Sequence, residues 1–195
     1  MRLGPLAMLG LLIPELGLAQ ARPQFLPTRD VMVQYAITEA ASGAPSGIET
    51  WFFSVNAQTF RIEGPRMQGY SLLGARDDST RGVDHRNRLV VKLEPRPNSG
   101  SITDPSSVFT RIGTDVVAGQ DCTIWRVAPA IATDPPAGQT ICLSAAGVML
   151  RRAFGTQVAT ATAVTSLDAE QRRPERFSVP AEYRVMTAQP RPAGR

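Results

Sequence analysis

The amino-acid sequence predicts a mainly β domain, an antiparallel meander curled into an open half-barrel with few short helices and one disulfide. Short segments rich in β-branched and aromatic residues recur along the chain and are separated by clusters of turn-forming residues. Beyond residue 21, no segment repeats apolar residues with helical spacing for more than two turns. Closely spaced strands without connecting helices are typical of antiparallel sheets that curl into barrels or half-barrels.

The two cysteines organise the second half of this sheet. Cys122 begins the segment CTIWRV, Cys142 lies in TICLS, and Gly119 and Gly147 mark turns beside them. These patterns predict two neighbouring antiparallel strands joined by a disulfide, with residues 148–153 folding back as a hairpin. A redox pair would favour C-x-x-C spacing, and a metal site would depend on the one histidine of the chain. We therefore expect a structural disulfide, worth on the order of 3 kcal/mol.

The N-terminus has the layout of a secretory signal peptide. Arg2 precedes an apolar run over residues 3–18, and AQA at 19–21 supplies a small-residue cleavage site. The alternative is a transmembrane anchor, but a span needs about 20 apolar residues, and this run is interrupted by a proline and a glutamate. We expect residues 1–21 to be removed and the mature protein to be soluble, without a transmembrane anchor, in the periplasm or secreted.

The rest of the chain is long enough for one domain with its own core. We expect residues 22–30 to form an extended lead-in, residues 31–186 a single half-barrel domain and residues 187–195 a disordered tail. The net charge is +4, and the arginines that produce it are scattered rather than clustered. Together with export, this pattern argues against nucleic acid as a partner.

Alternating apolar residues define the first strands. In Val31–Glu39, apolar or aromatic residues recur at every second position and share one face. Residues 48–55 are the most hydrophobic segment, in which Trp51 and Phe53 share a face and Phe52 points to the other. Further strands are expected at Thr59–Glu63, 70–74, 88–93, 108–112 and 158–167, besides the segments around the cysteines. The remaining stretches are predicted as a polar loop at 75–82, a long loop at 94–107, one helical turn at 168–173 and a closing segment at 177–185.

Five aromatic residues are candidates for a ligand-binding surface. We expect the tryptophans and the phenylalanines other than Phe52 to point towards the concave face of the half-barrel. Two interpretations stay open: these rings form an ordinary core, or they line a cavity for a lipid-sized ligand. Rings packed on other side chains would favour the core, and rings that face an open groove would favour binding. The candidates are Trp51, Phe53, Phe60, Tyr70 and Trp125.

No residue is predicted to be catalytic or to bind a metal or cofactor. His85 is the single histidine and has Asp77, Asp78 and Asp84 as neighbours. A histidine beside carboxylates can act as a base or a metal ligand, but no nucleophile stands in an activating sequence context. The chain also lacks a phosphate-binding glycine loop and the spacing of zinc ligands. We therefore predict that the protein is not an enzyme.

Several segments together resemble a known family. They are the early WFF strand, TFRIEG, GTDVVAGQDCTIWRV, AAGVMLR after the second cysteine, and FSVPAEY. Over residues 31–183 the chain resembles a domain-of-unknown-function branch of the LolA-like superfamily, the outer-membrane lipoprotein carrier-like half-barrels of exported bacterial proteins. The resemblance implies an open half-barrel in the periplasm. Characterised relatives carry lipoproteins or sense envelope stress, and they use the concave apolar face for acyl chains.

Two functions follow as hypotheses. The first is a soluble periplasmic half-barrel that binds an apolar or amphipathic ligand, with a lipid or a lipoprotein acyl chain as its partner. The alternative is a non-enzymatic envelope sensor or protein-interaction module, whose partner is an envelope protein docked on a sheet edge or on the convex face. An edge strand with open backbone groups and little charge would favour the alternative.

Overall fold

The computed structural model describes residues 22–65, 67–75, 79–93, 102, 104, 106–131 and 138–188. This described part forms one open sheet of 12 strands with a 3₁₀ turn at Pro174–Phe177 and no α-helix, which confirms the mainly β class. The strands are β1 (Val31–Glu39), β2 (Pro45–Ser54), β3 (Thr59–Glu63), β4 (Gly69–Gly74), β5 (Thr80–Asp84), β6 (Leu89–Leu93), β7 (Val108–Val117), β8 (Gln120–Ala128), β9 (Gln139–Leu143), β10 (Met149–Phe154), β11 (Gln157–Ser166) and β12 (Arg184–Ala188).

The sheet is built mainly from antiparallel neighbours. Its strand order is β12-β6-β5-β4-β3-β2-β1-β11-β10-β9-β8-β7, so β1 lies inside the sheet between β2 and β11. β12 is the exception to the antiparallel rule, since it pairs in parallel with β6. β12 and β7 form the two edges, and they do not pair with each other in the described sheet. The predicted open, unclosed meander is confirmed.

The predicted disulfide joins two neighbouring strands. Cys122 of β8 and Cys142 of β9 are bonded, with Cα atoms 5.4 Å apart, and β10 folds back antiparallel on β9 as the expected hairpin. At the turn between β9 and β10, Gly147 has φ +76°. An added Cβ there would lie 2.2 Å from the Leu26 carbonyl oxygen. Gly147 therefore serves both the turn and the close approach of the N-terminal segment.

The strand register divides the side chains between two faces. We call inner the face that carries Val33 of β1 and its partner Trp51 of β2, and outer the face that carries the adjacent pair, Met32 and Phe52. Paired residues of antiparallel strands point to the same side, so the assignment carries from strand to strand. The largest core cluster contains inner-face residues of β1, β2 and β11, among them Val31, Val33, Tyr35, Ile37, Trp51, Phe53, Ala159 and Ala161.

Part of the inner face is covered by residues 22–30, which we call the N-terminal strap. The predicted extended lead-in thus packs on the sheet. Phe25 stacks on Phe109 of β7 with ring centroids 6.5 Å apart, and Leu26 packs against the main core cluster. The amide of Thr28 donates a hydrogen bond of 3.1 Å to a carbonyl in the turn between β9 and β10.

The outer face of the first half of the sheet is covered by residues 167–183, which we call the C-terminal cover. Leu167 and Phe177 form a buried cluster with Phe52. Further along the cover, Val179 packs against a second buried cluster around Tyr70. The chain then continues into β12, so both faces of this half of the sheet bear packed side chains.

Two local expectations were wrong. Residues 80–82 were predicted as part of a polar loop but belong to β5, which pairs with both β4 and β6. Only Val83 is apolar in that segment, so the pairing of its neighbours, not its own hydrophobic pattern, makes it a strand. Phe177 was expected on the concave side with the other phenylalanines, but it packs on Phe52 on the outer face.

Other predicted features lie outside the described residues. They are the signal peptide at 1–21, most of the loop at 94–107, and the end of the chain from residue 189. Residues 187 and 188, assigned to the tail from the sequence, belong to β12. Among the described residues, no helix has the length and apolar character needed to cross a membrane.

Candidate ligand-binding site

Three of the five candidate aromatic residues come together on the inner face. Trp51 and Phe53 alternate along β2, and Phe60 of β3 is the register partner of Phe53. The ring centroids of Phe53 and Phe60 are 4.6 Å apart, while Trp51 meets Phe60 at 6.1 Å and Tyr35 at 5.5 Å, both edge to face. Phe53 is fully buried and Trp51 is 7% exposed, so the rings pack largely on one another.

These rings also border a cavity between the inner face and the strap. Its volume is about 90 Å³ and its walls are mainly apolar. Binding sites for small molecules typically measure about 300–1,000 Å³, so the closed cavity has room for only a small part of a long ligand. The strap contributes Phe25, Leu26 and Pro27 to the walls, and the sheet contributes Val31, Val33, Tyr35, Trp51, Phe53, Phe60 and Met149 among others.

The strap closes this cavity with few hydrogen bonds. The bond from Thr28 to Ala146 is the backbone–backbone bond between strap and sheet among the described residues. The Arg22 guanidinium donates to the Ile102 carbonyl at 2.6 Å and lies over the Phe25 ring at 4.6 Å. Phe25 and Leu26 are half-buried and Pro27 is buried, and the Asp30 carboxylate accepts a 2.8 Å hydrogen bond from the Val55 amide. A segment held by these few bonds can open at low cost compared with the strands beneath it.

Three polar side chains of the sheet line the cavity, those of Tyr35, Gln139 and Arg152. The Tyr35 hydroxyl donates a 2.5 Å hydrogen bond to the Met149 carbonyl, and burial raises the pKa of Tyr35 well above its ordinary range. The Arg152 guanidinium carbon lies 5.2 Å from the centroid of the Trp51 ring. Burial lowers the pKa of Arg152, an effect that the nearby carboxylate of Glu49 partly offsets.

The other two candidates lie elsewhere. Tyr70 is on the outer face, where its hydroxyl donates to the Ser178 carbonyl at 2.8 Å and the Arg61 guanidinium lies 3.6 Å from its ring centroid. Trp125 is on the inner face but packs in a separate cluster with Phe109 and Ile141. The five candidates therefore belong to two faces and three clusters.

Trp125 also borders a separate, open surface cleft. This cleft measures about 790 Å³ and lies between the strap and the ends of β7 and β8. Its walls include Asp115 and Asp121 together with the exposed Val116. A cleft that is open to water and lined by two carboxylates offers little shelter to an apolar chain, so we assign the candidate site to the smaller cavity.

Sequence patterns indicated only part of the cavity wall. The alternation in β1 placed Tyr35 and Val33 on the same face as each other, but their contact with Trp51 depends on the β1–β2 register. Arg152 was not predicted: it stands beside Arg151 in the sequence, and only the pairing with β11 sends one of them inwards. The strap residues lacked any alternating pattern that would have marked them as a cover.

The side chain of the single histidine, His85, contacts two tyrosines. Nδ1 of His85 lies 2.8 Å from the Tyr183 hydroxyl, and its ring packs against Tyr70 with centroids 5.4 Å apart. Of its acidic neighbours, Asp84 accepts hydrogen bonds from Asn87, while residues 77 and 78 lie outside the described structure. Within that structure, no group of three or more potential metal ligands comes together.

Comparison with solved structures returns distant similarities. The crystal structure of MucB has a TM-score of 0.47 and 11% identity, over 83% of this chain and 61% of MucB. An uncharacterized conserved protein from Thermus thermophilus has a TM-score of 0.45 and 13% identity, over 80% of this chain and 90% of that protein. A LolA superfamily protein from Nitrosomonas europaea has a TM-score of 0.39 and 10% identity, over 78% and 91% of the two chains.

The chain spans about three-fifths of the length of MucB, with 61% of that protein covered. No protein-family model matches the sequence, and no curated protein matches it at a significant level.

Proposed function

We propose that the protein binds an apolar or amphipathic ligand with an alkyl chain, such as a lipid, at the inner-face cavity. The observation that carries this proposal is an apolar cavity that is covered by the N-terminal strap and not by a strand of the sheet. Phe25, Leu26 and Pro27 line the cavity, and the strap that carries them has one backbone bond to the sheet among the described residues. A disulfide such as Cys122–Cys142 fits a protein that works outside the cytoplasm.

Ligand uptake would require the strap to move. At about 90 Å³ the closed cavity is smaller than a long alkyl chain needs. If Phe25 and Leu26 leave the inner face, the ligand takes over the apolar surface of the cavity wall that they had covered. The hydrophobic area lost by the strap is then regained by the ligand, which keeps the free-energy cost of opening small.

A fluorescent fatty-acid probe tests the proposal. Wild type should bind it saturably, and Val33→Phe, which enlarges a buried cavity-lining residue, should weaken binding by about tenfold or more because the chain loses its space. Met32→Phe is the matched control, since Met32 is the adjacent residue on the outer face. It should bind the probe as wild type does.

Two results of this binding experiment would contradict the proposal. Thermal unfolding of each variant first establishes that it is folded. Absence of saturable binding to wild type, or equal binding by a folded Val33→Phe variant, would remove the cavity as the ligand site.

A second candidate function is protein interaction at the β7 edge. β7 is a ten-residue edge strand, and Val108, Ile112 and Val116 on it are about half exposed or more. An extended partner segment can add to such an edge through backbone hydrogen bonds. The bulge next to Arg111 and the charge of Asp115 are features that discourage unselective pairing.

Photo-crosslinking in cells distinguishes this second candidate. A photoreactive residue at Val116 should form one discrete adduct with an envelope protein, whereas the same residue at Gln34, exposed on the outer face of a central strand, should not. Identical adduct patterns at both sites would eliminate the β7 edge as a specific docking site.

A further inference from the structure

Arg152 occupies an unusual position for a charged side chain. It pairs with Ala159 of β11, and Ala159 in turn pairs with Ile37 of β1, so Arg152 belongs to the inner face. Its chain neighbour Arg151 points to the outer face, where it forms a salt bridge with Asp115. Two consecutive arginines therefore experience opposite environments, one paired with a carboxylate and one beside the apolar cavity.

The charge of Arg152 is incompletely compensated. Within the described structure, no carboxylate lies at ion-pair distance from its guanidinium group; its contact is with the face of Trp51, at 5.2 Å. The carboxylate of Glu49 is nearby but accepts a 3.0 Å hydrogen bond from Nε1 of Trp51. Removing a cation from water is costly unless an anion or several hydrogen bonds replace the water, and a ring face replaces it only in part.

The placement of the two charges favours an anion that arrives through the cavity. Arg152 lines the cavity itself, together with Val33 and Phe53. Glu49 lines a neighbouring groove with Ile37 instead. A ligand whose chain fills the cavity can therefore bring a terminal anionic group to the guanidinium without first meeting the Glu49 carboxylate.

We propose that Arg152 binds the carboxylate head of a single-chain fatty acid whose alkyl chain lies in the inner-face cavity. This inference rests on the proposed function and deepens it, because it assigns the polar end of the ligand. A guanidinium group offers N–H donors in a planar array that matches a carboxylate. Formation of this pair completes the neutralisation of a charge that the sheet leaves beside an aromatic ring.

Competition against the fluorescent probe tests the assignment with palmitate and hexadecanol, which share a chain length and differ in the charge of the head. At about pH 8 palmitate should bind wild type about tenfold or more tightly than hexadecanol, as expected for a hydrogen-bonded charge pair. Arg152→Met should abolish this preference by weakening palmitate alone. Arg152→Lys, which keeps the charge, should retain part of it.

Arg151→Met is the matched control, because it removes an adjacent arginine from the other face. It should keep the full preference for palmitate. Thermal melting confirms that each variant is folded, and acetate, which has the head without the chain, should not displace the probe.

The possible failures are distinguishable. Tight binding of both long-chain ligands with equal affinity, or an unchanged preference in a folded Arg152→Met variant, overturns the role of Arg152 and leaves the cavity as a chain-binding site. If neither palmitate nor hexadecanol binds wild type, the proposed function fails and this inference fails with it.

Discussion

The two covers of the sheet are built differently, although each is a chain segment lying on one face. The C-terminal cover is fixed by buried side chains and by specific polar bonds: Phe177 is buried on Phe52, Arg61 donates to the Arg176 carbonyl at 2.8 Å, and the Tyr70 hydroxyl donates to the cover's backbone. Among the described residues, the N-terminal strap has the half-buried ring of Phe25, one backbone–backbone bond to the sheet and one hydrogen bond from the Val55 amide to the Asp30 carboxylate. A cavity lies beneath the strap.

This difference shows which face is able to change. Density of packing and number of hydrogen bonds set the free energy of local opening, and functional elements tend to come from the less stable end of that range. We therefore interpret the C-terminal cover as part of the permanent core. The N-terminal strap is interpreted as the segment that yields when a ligand enters.

The largest loss of stability is expected from a substitution in the C-terminal cover. Phe177→Ala should lower the free energy of unfolding by about 3–4 kcal/mol, because Phe177 is buried among Phe52 and Leu167 and its loss leaves a cavity. Urea-induced unfolding measures the change. A cost below about 1 kcal/mol would mean that the C-terminal cover is no better packed than the strap.

A loss of stability of intermediate size is expected at alkaline pH. Burial raises the pKa of both Tyr35 on the inner face and Tyr70 on the outer face. The folded chain keeps these protons at pH values where the unfolded chain, with a tyrosine pKa near 10, loses them. Titration of these tyrosines should therefore leave stability unchanged below about pH 10 and lower it above that pH, by up to about 1.4 kcal/mol per pH unit for each tyrosine.

Substitution of each tyrosine by phenylalanine shows how much of this loss of stability comes from each face of the sheet. Tyr35→Phe and Tyr70→Phe should each make the fall in stability above about pH 10 less steep, as measured by urea unfolding at pH 8 and at pH 11. We expect the larger flattening for Tyr35, which is the more strongly buried of the two and has the larger upward shift in pKa. Identical slopes in wild type and Tyr35→Phe would contradict its burial in a stable core.

The smallest stability effect is expected at the strap, where it should be accompanied by a gain in binding. Phe25→Ala removes a half-buried ring that stacks on Phe109, at a cost of about 1 kcal/mol. Because the strap then covers the cavity less often, affinity for the fluorescent fatty-acid probe should rise severalfold. Unchanged or weaker binding would indicate that the strap forms part of the ligand site rather than competing with the ligand.

The sequence predicted those features that local patterns determine. Alternation identified β1 and the Trp51–Phe53 face of β2, and the residues around Cys122 and Cys142 indicated the bonded strands and the following hairpin. β5 was missed because its segment has a single apolar residue, Val83, and becomes a strand through its neighbours.

The candidate site was less predictable because it depends on pairing between distant strands. Trp51 and Tyr70 are both aromatic residues in strands, yet the register places them on opposite faces. Arg151 and Arg152 are chemically identical, and only the β10–β11 register decides which of them reaches the cavity. A one-residue change in register would exchange the two faces. The correct register cannot be recognised from the individual residues.

Hydrogen exchange in the presence and absence of palmitate shows whether the strap opens while the C-terminal cover stays closed, because it follows both covers in one experiment. The reporters are the amide of Thr28, bonded to Ala146 in the strap's attachment, and the amide of Arg184, bonded to Arg88 where the C-terminal cover meets β12. We expect Thr28 to exchange faster than Arg184 in the free protein. Saturating palmitate should accelerate exchange at Thr28 and leave exchange at Arg184 unchanged. Equal protection of the two amides, together with no response of Thr28 to palmitate, would contradict this expectation.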